Sequence, residues 1–321
     1  MSKSSDTVTL SASKLKTLET CSWSYWCNYH LKIPQKNNEG AMRGTICHLI
    51  FELLLKKGRK KHYNLIVKKG KINGCESINR LIIKHLDKDK INTEENYGLI
   101  DKMILVGLNA DFYGKDGKLG EPEIEFNITS EDPKYKIKGF MDKLIFYEKD
   151  KTIKIVDYKS SKSRFKEEEL SANFQAMMYS LASNKLWPKY KNVIVEFLFL
   201  RFPTKASQTA NISEDQKRGF EKYLAHIYSV VLSFTEKMAK TNYAASSVET
   251  RWLCKAGATW RCPYLSAVDY FVLLDENGAI LKSSFENKFS PQKNEKVELR
   301  KYDGCPAHKV DPSKEKDFFL D

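Results

Sequence analysis

The sequence predicts an α/β protein in which a mixed β-sheet is flanked by helices. The first observation is a cluster of short strand-like segments in the middle of the chain, at residues 123–129, 136–147 and 152–159. The second is a helical pattern that follows them and leads to a further strand-like segment at 192–201. Adjacent strands followed by a crossover helix and another strand require both antiparallel and parallel pairing, which is a mixed sheet.

The helices before this cluster are predicted from their apolar spacing. A helix begins near Ser11, carries Leu15 and Trp23, and ends before Pro34. The segment 41–57 is amphipathic, with an apolar stripe on one side and His48 and Glu52 four residues apart on the other. The stripe consists of Ile46, Leu49, Ile50 and Leu53, and Phe51 and Leu55 flank the polar pair. Two further helices are predicted at 76–88 and 98–113.

The remaining elements follow the same logic. The polar run 148–151 connects two strands as a hairpin turn. The helix predicted at 167–185 has a core stripe of Phe174, Met177, Met178 and Leu181. A long helix is predicted at 213–240, and a strand-like run at 269–282 has no function that the sequence indicates.

Composition limits the class of protein and its partners. The 321 residues include 54 Lys and Arg against 41 Asp and Glu, a net charge of +13, with lysine clusters at 56–61, 68–71 and 154–166. Any one cluster is typical of a solvated surface, but beside a phosphodiester site they favour a polyanionic partner. A polar N-terminus and the lack of a long apolar run predict no signal peptide and no membrane span. Seven cysteines without a secretory signal indicate a reducing cytoplasm rather than disulfides.

Three residues of the strand cluster have the chemistry of a metal-dependent phosphodiesterase. Asp157 and Lys159 project to one side of a strand, and Asp142 lies on the preceding strand, predicted to share a face with Phe140 and Leu144. A buried carboxylate needs a cation, which a divalent metal supplies. A salt bridge from Lys159 to either aspartate would satisfy the same need.

Other residues could complete the site, and each has a simpler interpretation. His48 could be a packed or exposed helical histidine. Gln175 and Tyr179, four residues apart, could form an ordinary polar face, and Glu123 could be a charge at a strand edge.

Taken in order, these residues resemble a known family. The series Gly44-x-x-x-His48-x-x-x-Glu52, Gly139-x-x-Asp142, Asp157-Tyr158-Lys159 and Gln175-x-x-x-Tyr179 is similar to the motifs of the RecB-like branch of the PD-(D/E)XK nuclease superfamily. That branch includes the RecB and AddB nuclease domains, CRISPR-adaptation nucleases and phage exonucleases. The resemblance implies a restriction-endonuclease-like core of order α-β-β-β-α-β. It places a nuclease domain at 1–245 with a helical insertion at about 58–118, and a cysteine-containing extension at 246–321 packed on the same domain.

The resemblance also implies roles. Asp142, Asp157, the Tyr158 backbone carbonyl and His48 would bind Mg²⁺ or Mn²⁺, with Lys159 orienting or deprotonating the attacking water. Gln175 and Tyr179 would support the site or contact DNA, and Glu123 would add a further carboxylate.

The cysteines depart from the family pattern. Many RecB-like nucleases hold an iron–sulfur cluster through one upstream cysteine and a downstream C-x₂-C-x₅-C group. Cys21 matches the upstream position and Cys262 the middle downstream one, but Thr259 and Val268 occupy the flanking positions. Cys254 and Cys305 could substitute from new positions, Cys305 with His308 could bind zinc, or the thiols could simply be packed.

The function that follows is a metal-dependent DNA exonuclease acting in recombination, repair or phage DNA metabolism. Its substrate would be single-stranded DNA or duplex ends, with a helicase or recombination partner and no membrane. The alternatives are a structure-specific endonuclease, a CRISPR spacer-processing nuclease, and a non-catalytic nucleic-acid-binding partner.

Overall fold

The computed structural model describes residues 8–36, 38–256 and 260–308. The chain forms two compact units. The first comprises Met1–Ala12 and Asn37–Ser229, and the second comprises Ser13–Lys36 and Val230–Asp321. The domain division near residue 245 that the sequence suggests stays a prediction.

The regular elements are numbered in chain order. The α-helices are α1 Ala12–Thr20, α2 Ser22–Tyr25, α3 Glu39–Leu55, α4 Lys60–Lys69, α5 Glu76–Lys88, α6 Glu94–Asn109, α7 Glu167–Ser171, α8 Phe174–Leu186, α9 Glu214–Leu232 and α10 Glu236–Ala239. The strands are β1 Lys118–Leu119, β2 Ile124–Glu131, β3 Lys134–Met141, β4 Lys143–Tyr147, β5 Thr152–Lys159, β6 Asn192–Phe199, β7 Ser207–Ala210, β8 Lys255–Ala256, β9 Trp260–Arg261, β10 Val268–Leu274, β11 Ile280–Ser284 and β12 Lys296–Tyr302.

The first unit is built on a five-stranded sheet of order β1-β4-β5-β6-β7. β5 and β6 are parallel, with Asp157 opposite Phe197 and Lys159 opposite Phe199, while the other pairs are antiparallel. The crossover from β5 to β6 runs through α8, as parallel neighbours require. The mixed sheet flanked by helices, predicted from the sequence, is confirmed.

The strand predicted at 136–147 is in fact two strands, and this part of the prediction was wrong. β3 pairs with β2 in a separate hairpin, whereas β4 joins the main sheet beside β5. Asp142 lies at the bend between them. It therefore does not share a face with its neighbours: Phe140 is 50% exposed, and Leu144 is completely buried.

The helices differ from the prediction mainly where side chains cap them. α6 begins at Glu94 because the Thr93 side chain accepts a hydrogen bond from the Asn96 backbone. The single helix predicted at 167–185 is divided, since Asn173 caps a new helix at α8. In α3 the buried side includes Phe51, whereas the sequence pattern predicts it beside the polar pair His48 and Glu52.

The helical part of the first unit has its own apolar core. α3 to α6 contribute buried side chains that also contact β4, β5 and β6. The buried members include Ile50, Phe51, Ile66, Ile82, Ile104, Phe112, Ile145 and Tyr158. This core holds α3 and the helices 60–109 against the sheet that carries the aspartates.

The second unit combines the N-terminal helices with a three-stranded antiparallel sheet of order β11-β10-β12. Trp23 Nε1 donates to the Tyr302 hydroxyl at 2.9 Å, and the Ser22 hydroxyl donates to the Asn242 carbonyl at 2.8 Å. Within the part of the chain that the structure describes, every helix is too short or too polar to span a bilayer.

Candidate functional site

Four elements of the first unit bring most of the predicted site residues together. α3 provides the histidine, the bend between β3 and β4 provides one aspartate, the end of β5 provides the second aspartate and the lysine, and α8 provides the amide and the phenol. These residues are His48, Asp142, Asp157, Lys159, Gln175 and Tyr179.

His48 bridges the two aspartate-bearing segments. Its Nδ1 lies 3.2 Å from Asp142 Oδ1, and its Nε2 lies 2.9 Å from the Tyr158 backbone carbonyl. Asp142 Oδ2 accepts a hydrogen bond from the Tyr158 backbone N–H at 2.8 Å. Three of the four predicted metal ligands are therefore in direct contact.

The charge state of His48 follows from these neighbours. Burial alone lowers the pKa of His48, but the hydrogen bond to Asp142 and the charges of Asp142, Asp157 and Glu123 raise it to about 8. Both ring nitrogens face acceptors, so below about pH 8 the metal-free ring is an imidazolium that donates from each. Since only the neutral ring binds a metal, a cation must displace one proton.

A hydrogen-bond network fixes Lys159. Its Nζ donates to Gln175 Oε1 at 2.7 Å and lies 2.6 Å from Asp157 Oδ2. Gln175 Nε2 in turn donates to Asp157 Oδ1 and to the Tyr179 hydroxyl, both at 2.6 Å. Tyr179 lies 2.7 Å from the Phe140 carbonyl, to which its hydroxyl donates. One amide thus positions the ammonium, the carboxylate and the phenol.

Asp157 has the electrostatic character of a cation ligand. It is 3% exposed, and burial raises its pKa although the Lys159 charge opposes that rise. Its Oδ2 is buried without an aligned hydrogen bond, so its contact with Lys159 is an ion pair of poor direction. A buried carboxylate oxygen left in this state would be stabilised by a divalent ion.

Glu123 reaches the same place from a strained backbone. Its φ of +54° is in the left-handed region, and its N–H donates to the Asp142 carbonyl at 3.2 Å. Burial and then the Asp142 charge raise its pKa. Within the described ranges, ligand atoms of His48, Glu123 and Asp142 lie within 4.8 Å of one another. This nitrogen–oxygen donor set fits Mg²⁺ or Mn²⁺, so the residues present suit the metal that the motifs imply.

Two motif glycines are explained by close packing. A Cβ at Gly44 on α3 would lie 2.6 Å from the Ser160 hydroxyl, just beyond Lys159. A Cβ at Gly139 on β3 would lie 2.6 Å from the ring of Phe126. Both glycines therefore let α3 and β2 approach the segments that carry the charged residues.

Lys143, next to Asp142, was not singled out from the sequence. It is 2% exposed, its Nζ donates to the Asp111 and Phe112 carbonyls at 3.2 and 3.4 Å, and burial lowers its pKa to about 8. It ties β4 to the end of the helical segment. The only signal was a lysine in an otherwise apolar run, which is weak.

The second unit contains a cavity of about 360 Å³ whose lining includes four cysteines. They are Cys21, Cys254, Cys262 and Cys305. Cys254 and Cys305 thus reach the cavity although the family spacing does not predict them. Val268 begins β10 and is not part of the lining, Thr259 lies outside the described residues, and His308 is exposed.

The spacing of the cysteines in this cavity distinguishes a single zinc ion from an iron–sulfur cluster. One zinc bound by thiolates at about 2.3 Å needs its sulfurs within about 4 Å of each other. In the described part of the chain, no group of three cysteine sulfurs comes within 4.8 Å. A polynuclear cluster binds each thiolate through a different iron and accepts wider spacing. Burial raises the pKa of Cys262 to about 11, so its thiolate requires such a cation.

Comparison with known proteins identifies the family. The sequence profile of the PD-(D/E)XK nuclease superfamily matches residues 9–267. The chain belongs to this superfamily. The match covers the cluster of His48, Glu123, Asp142, Asp157, Lys159, Gln175 and Tyr179, but it ends before Cys305.

Solved structures give a weaker likeness. A candidate exonuclease from Eubacterium rectale is 9% identical, with a TM-score of 0.44, covering 82% of this chain and 96% of that one. The protein SSO0001 is 17% identical, with a TM-score of 0.27, covering 67% and 86%. None of the curated proteins matches this sequence.

As a PD-(D/E)XK protein, the chain has the fold of a nuclease that uses a divalent metal and acts on nucleic acid. The His48, Glu123 and Asp142 group offers a place for such an ion.

Proposed function

We propose that this protein is a metal-dependent deoxyribonuclease of the RecB-like branch that degrades DNA from an end. The observation that carries the proposal is the contact of His48 with both Asp142 and the Tyr158 carbonyl, beside the Asp157–Lys159 pair. It supports Asp142, Asp157, the Tyr158 carbonyl and His48 as ligands of Mg²⁺ or Mn²⁺, with Glu123 as an added carboxylate.

Each residue of the candidate site would have a separate role in hydrolysis. When bound, the metal polarises a phosphoryl oxygen and lowers the pKa of a coordinated water. Lys159 holds a water in line with the phosphorus and neutralises charge that develops on the phosphate oxygens. Gln175 keeps the Lys159 ammonium on the Asp157 side, and Tyr179 accepts from Gln175 while it fixes the backbone before Asp142.

The decisive experiment is a cleavage assay on labelled DNA. Linear single strands, linear duplexes and circular DNA are incubated with Mg²⁺, with Mn²⁺ and with chelator. Processive shortening of linear DNA alone supports an exonuclease, whereas cleavage of circles indicates a structure-specific endonuclease. Cleavage confined to short branched or spacer-length DNA indicates a CRISPR spacer-processing nuclease.

Two variants make the assay specific. Lys159→Ala removes the ammonium beside the reacting water and should abolish cleavage while DNA binding remains. Lys237→Ala, an exposed lysine on α10, should keep the wild-type rate. Wild-type cleavage by Lys159→Ala would refute the mechanism. DNA binding with no cleavage in either metal would favour a non-catalytic binding partner.

The cavity in the second unit supports a cofactor proposal. We infer that Cys21, Cys254, Cys262 and Cys305 hold an iron–sulfur cluster. Anaerobically purified protein should contain iron and absorb visible light, and Cys262→Ser should lose both. The buried Cys75 lies in α5's N-terminal cap, and Cys75→Ser should retain both signals. Iron-free, colourless wild-type protein would indicate packed thiols.

We propose that the protein works in the cytoplasm in recombination, repair or phage DNA metabolism, with a helicase or recombination partner that supplies DNA ends. Co-purification of tagged protein from cells that carry damaged DNA, with Lys159→Ala to retain the substrate, tests this setting.

A further inference from the structure

Most of the net charge of the protein resides in a short helical stretch. Residues 56–90 contain twelve Lys and Arg against three Asp and Glu, so they supply nine of the thirteen excess positive charges of the chain. Each of the twelve basic side chains is exposed. This stretch, called the basic insertion below, consists of the α3–α4 connection, α4, the connection to α5, and α5 with the two residues after it.

The charges on α5 form a stripe that helix stability does not favour. Arg80, Lys84 and Lys88 follow each other at four-residue spacing, on the side opposite the buried Ile78 and Ile82. Like charges at this spacing destabilise a helix by a few tenths of a kcal/mol per pair. Glu76 lies 3.7 Å from Arg80, but both side chains are exposed, so water screens the pair strongly.

The basic insertion is rigidly connected to the candidate site. α3 carries His48 and ends at Leu55, directly before Lys56 and Lys57. Eight residues of helix separate His48 from Lys56, which places the first lysines roughly 12 Å along the helix axis. Ile66 of α4 and the buried face of α5 belong to the same core as α3.

We propose that the basic insertion binds the phosphate backbone of the DNA beyond the nucleotides that occupy the site. This inference rests on the proposed function. Exposed cationic charge on helices that pack against the helix carrying His48 fits a polyanion, because only Lys56 and Arg80 have an acidic partner within the described salt bridges. Binding would release counterions from DNA without reading its sequence. The insertion then keeps a long strand attached between successive cleavages.

The test compares two triple variants. Arg80→Gln, Lys84→Gln and Lys88→Gln together remove the α5 stripe. The control removes three exposed lysines elsewhere in the same unit, Lys149, Lys191 and Lys222. Binding of a long single strand is measured in Ca²⁺ across about 50 to 200 mM salt, since each lost phosphate contact lowers the salt slope by about 0.7 to 0.9.

The expected result is a decrease of roughly 2 to 3 in the salt slope for the stripe variant only. Cleavage of a substrate of roughly four nucleotides, near the lower end of single-strand site sizes, should stay unchanged. Cleavage of a strand several times longer should become less processive. An unchanged slope, or an equal change in the control, would overturn the proposal. If wild-type protein binds DNA with the expected slope but cleaves nothing, the proposed function fails while this inference stands.

An independent observation concerns Phe140. Its ring is 50% exposed, two residues before Asp142, and the structure gives it no aromatic neighbour among the described residues. Its backbone is held by β2, opposite Glu125, and by the Tyr179 hydroxyl. The strand geometry places its Cα about 7 Å from that of Asp142. Its backbone is fixed and its ring is half exposed close to Asp142 in the chain, which is the combination that stacking on a nucleobase requires.

We infer that Phe140 stacks on the base next to the scissile phosphate. Base–aromatic stacking is worth about 1–3 kcal/mol, so Phe140→Ala should lower kcat/KM by roughly 5- to 150-fold. On DNA with an abasic residue at that position, the wild-type protein should show a similar decrease in kcat/KM. Phe140→Ala should cause no further decrease on that DNA. Phe140→Trp should retain activity. Leu65→Ala, at an equally exposed position on α4, should leave kcat/KM unchanged on both DNAs. Equal losses on both DNAs would overturn the inference, and the proposed nuclease function would be unaffected.

Discussion

Metal binding by this protein should depend steeply on pH, because the ring of His48 must lose a proton to become a ligand. Its pKa is raised to about 8 in the metal-free protein. At pH 6, two units below this pKa, only about 1% of His48 rings are neutral and able to bind a metal. Protonation of His48 therefore weakens Mn²⁺ affinity by roughly 100-fold relative to pH well above 8, or about 2.7 kcal/mol.

Isothermal titration calorimetry of Mn²⁺ without DNA measures this effect. Affinity should rise tenfold per pH unit up to about pH 8 and then level off. The binding enthalpy at pH 7 should change with the ionisation enthalpy of the buffer, because one proton is released. His48→Asn should bind more weakly and without this slope. An affinity that is constant between pH 6 and 8 in wild-type protein would refute the assignment of His48 as a ligand.

The same pKa predicts the stability of the metal-free protein. The folded pKa of His48 lies above its ordinary value of about 6.5, so the protonated ring stabilises the fold fully below pH 6.5. This stabilisation is lost as pH rises through 8, and it amounts to about 2 kcal/mol. Urea denaturation of chelator-treated protein at pH 6 and 9 should show the loss, and His48→Asn should not.

Three further experiments, each based on a substitution, test the surroundings of the site. Gly139→Ala forces a methyl group against Phe126 and should lower the free energy of unfolding by about 1–3 kcal/mol in thermal denaturation, whereas Gly98→Ala, in open space on α6, should raise it by up to about 1 kcal/mol; equal effects would contradict the packing argument. Gln175→Ala releases the ammonium and carboxylate that its amide bridges and should lower kcat by roughly 10- to 100-fold with Mn²⁺ affinity nearly intact, and an unchanged kcat would count against its positioning role. Lys143 has a pKa of about 8 because of burial, so wild-type stability to urea should rise by roughly 3 kcal/mol between pH 8 and 10.5, and Lys143→Met should remove that rise; the same rise in the variant would contradict it.

The sequence predicted the mixed sheet because its strands differ from the helices in apolar spacing, a local property. It also predicts Asp142, Asp157 and Lys159 as site residues, since charged residues at the ends of apolar strands need a partner or a ligand. Their contacts with His48 and Gln175 lie beyond local patterns. They depend on packing between α3, α8 and β5, which brings together residues more than a hundred positions apart.

The errors have physical causes as well. The strand through Asp142 appeared continuous because alternation survives on both sides of the bend, although the two halves pair with different partners. The predicted buried face of α3 was wrong at Phe51 because the helix is apolar on most sides. The ring of Phe51 packs against that of Tyr158. The family's cysteine spacing does not predict Cys254 and Cys305 as ligands, yet folding of distant segments brings both to one cavity.

The second unit is formed by two distant segments of the chain, and this has a consequence for biosynthesis. Its two segments are separated by residues 37–229 of the first unit, and the bonded residues Trp23 and Tyr302 are 279 positions apart. Closing a loop of that length costs roughly 5 kcal/mol in chain entropy. On the ribosome, residues 13–36 leave the exit tunnel long before their partners exist, while residues 37–229 can already fold. The cysteine cavity therefore forms only after Cys305 has been synthesised, so any cofactor that the cavity holds must be inserted after that point.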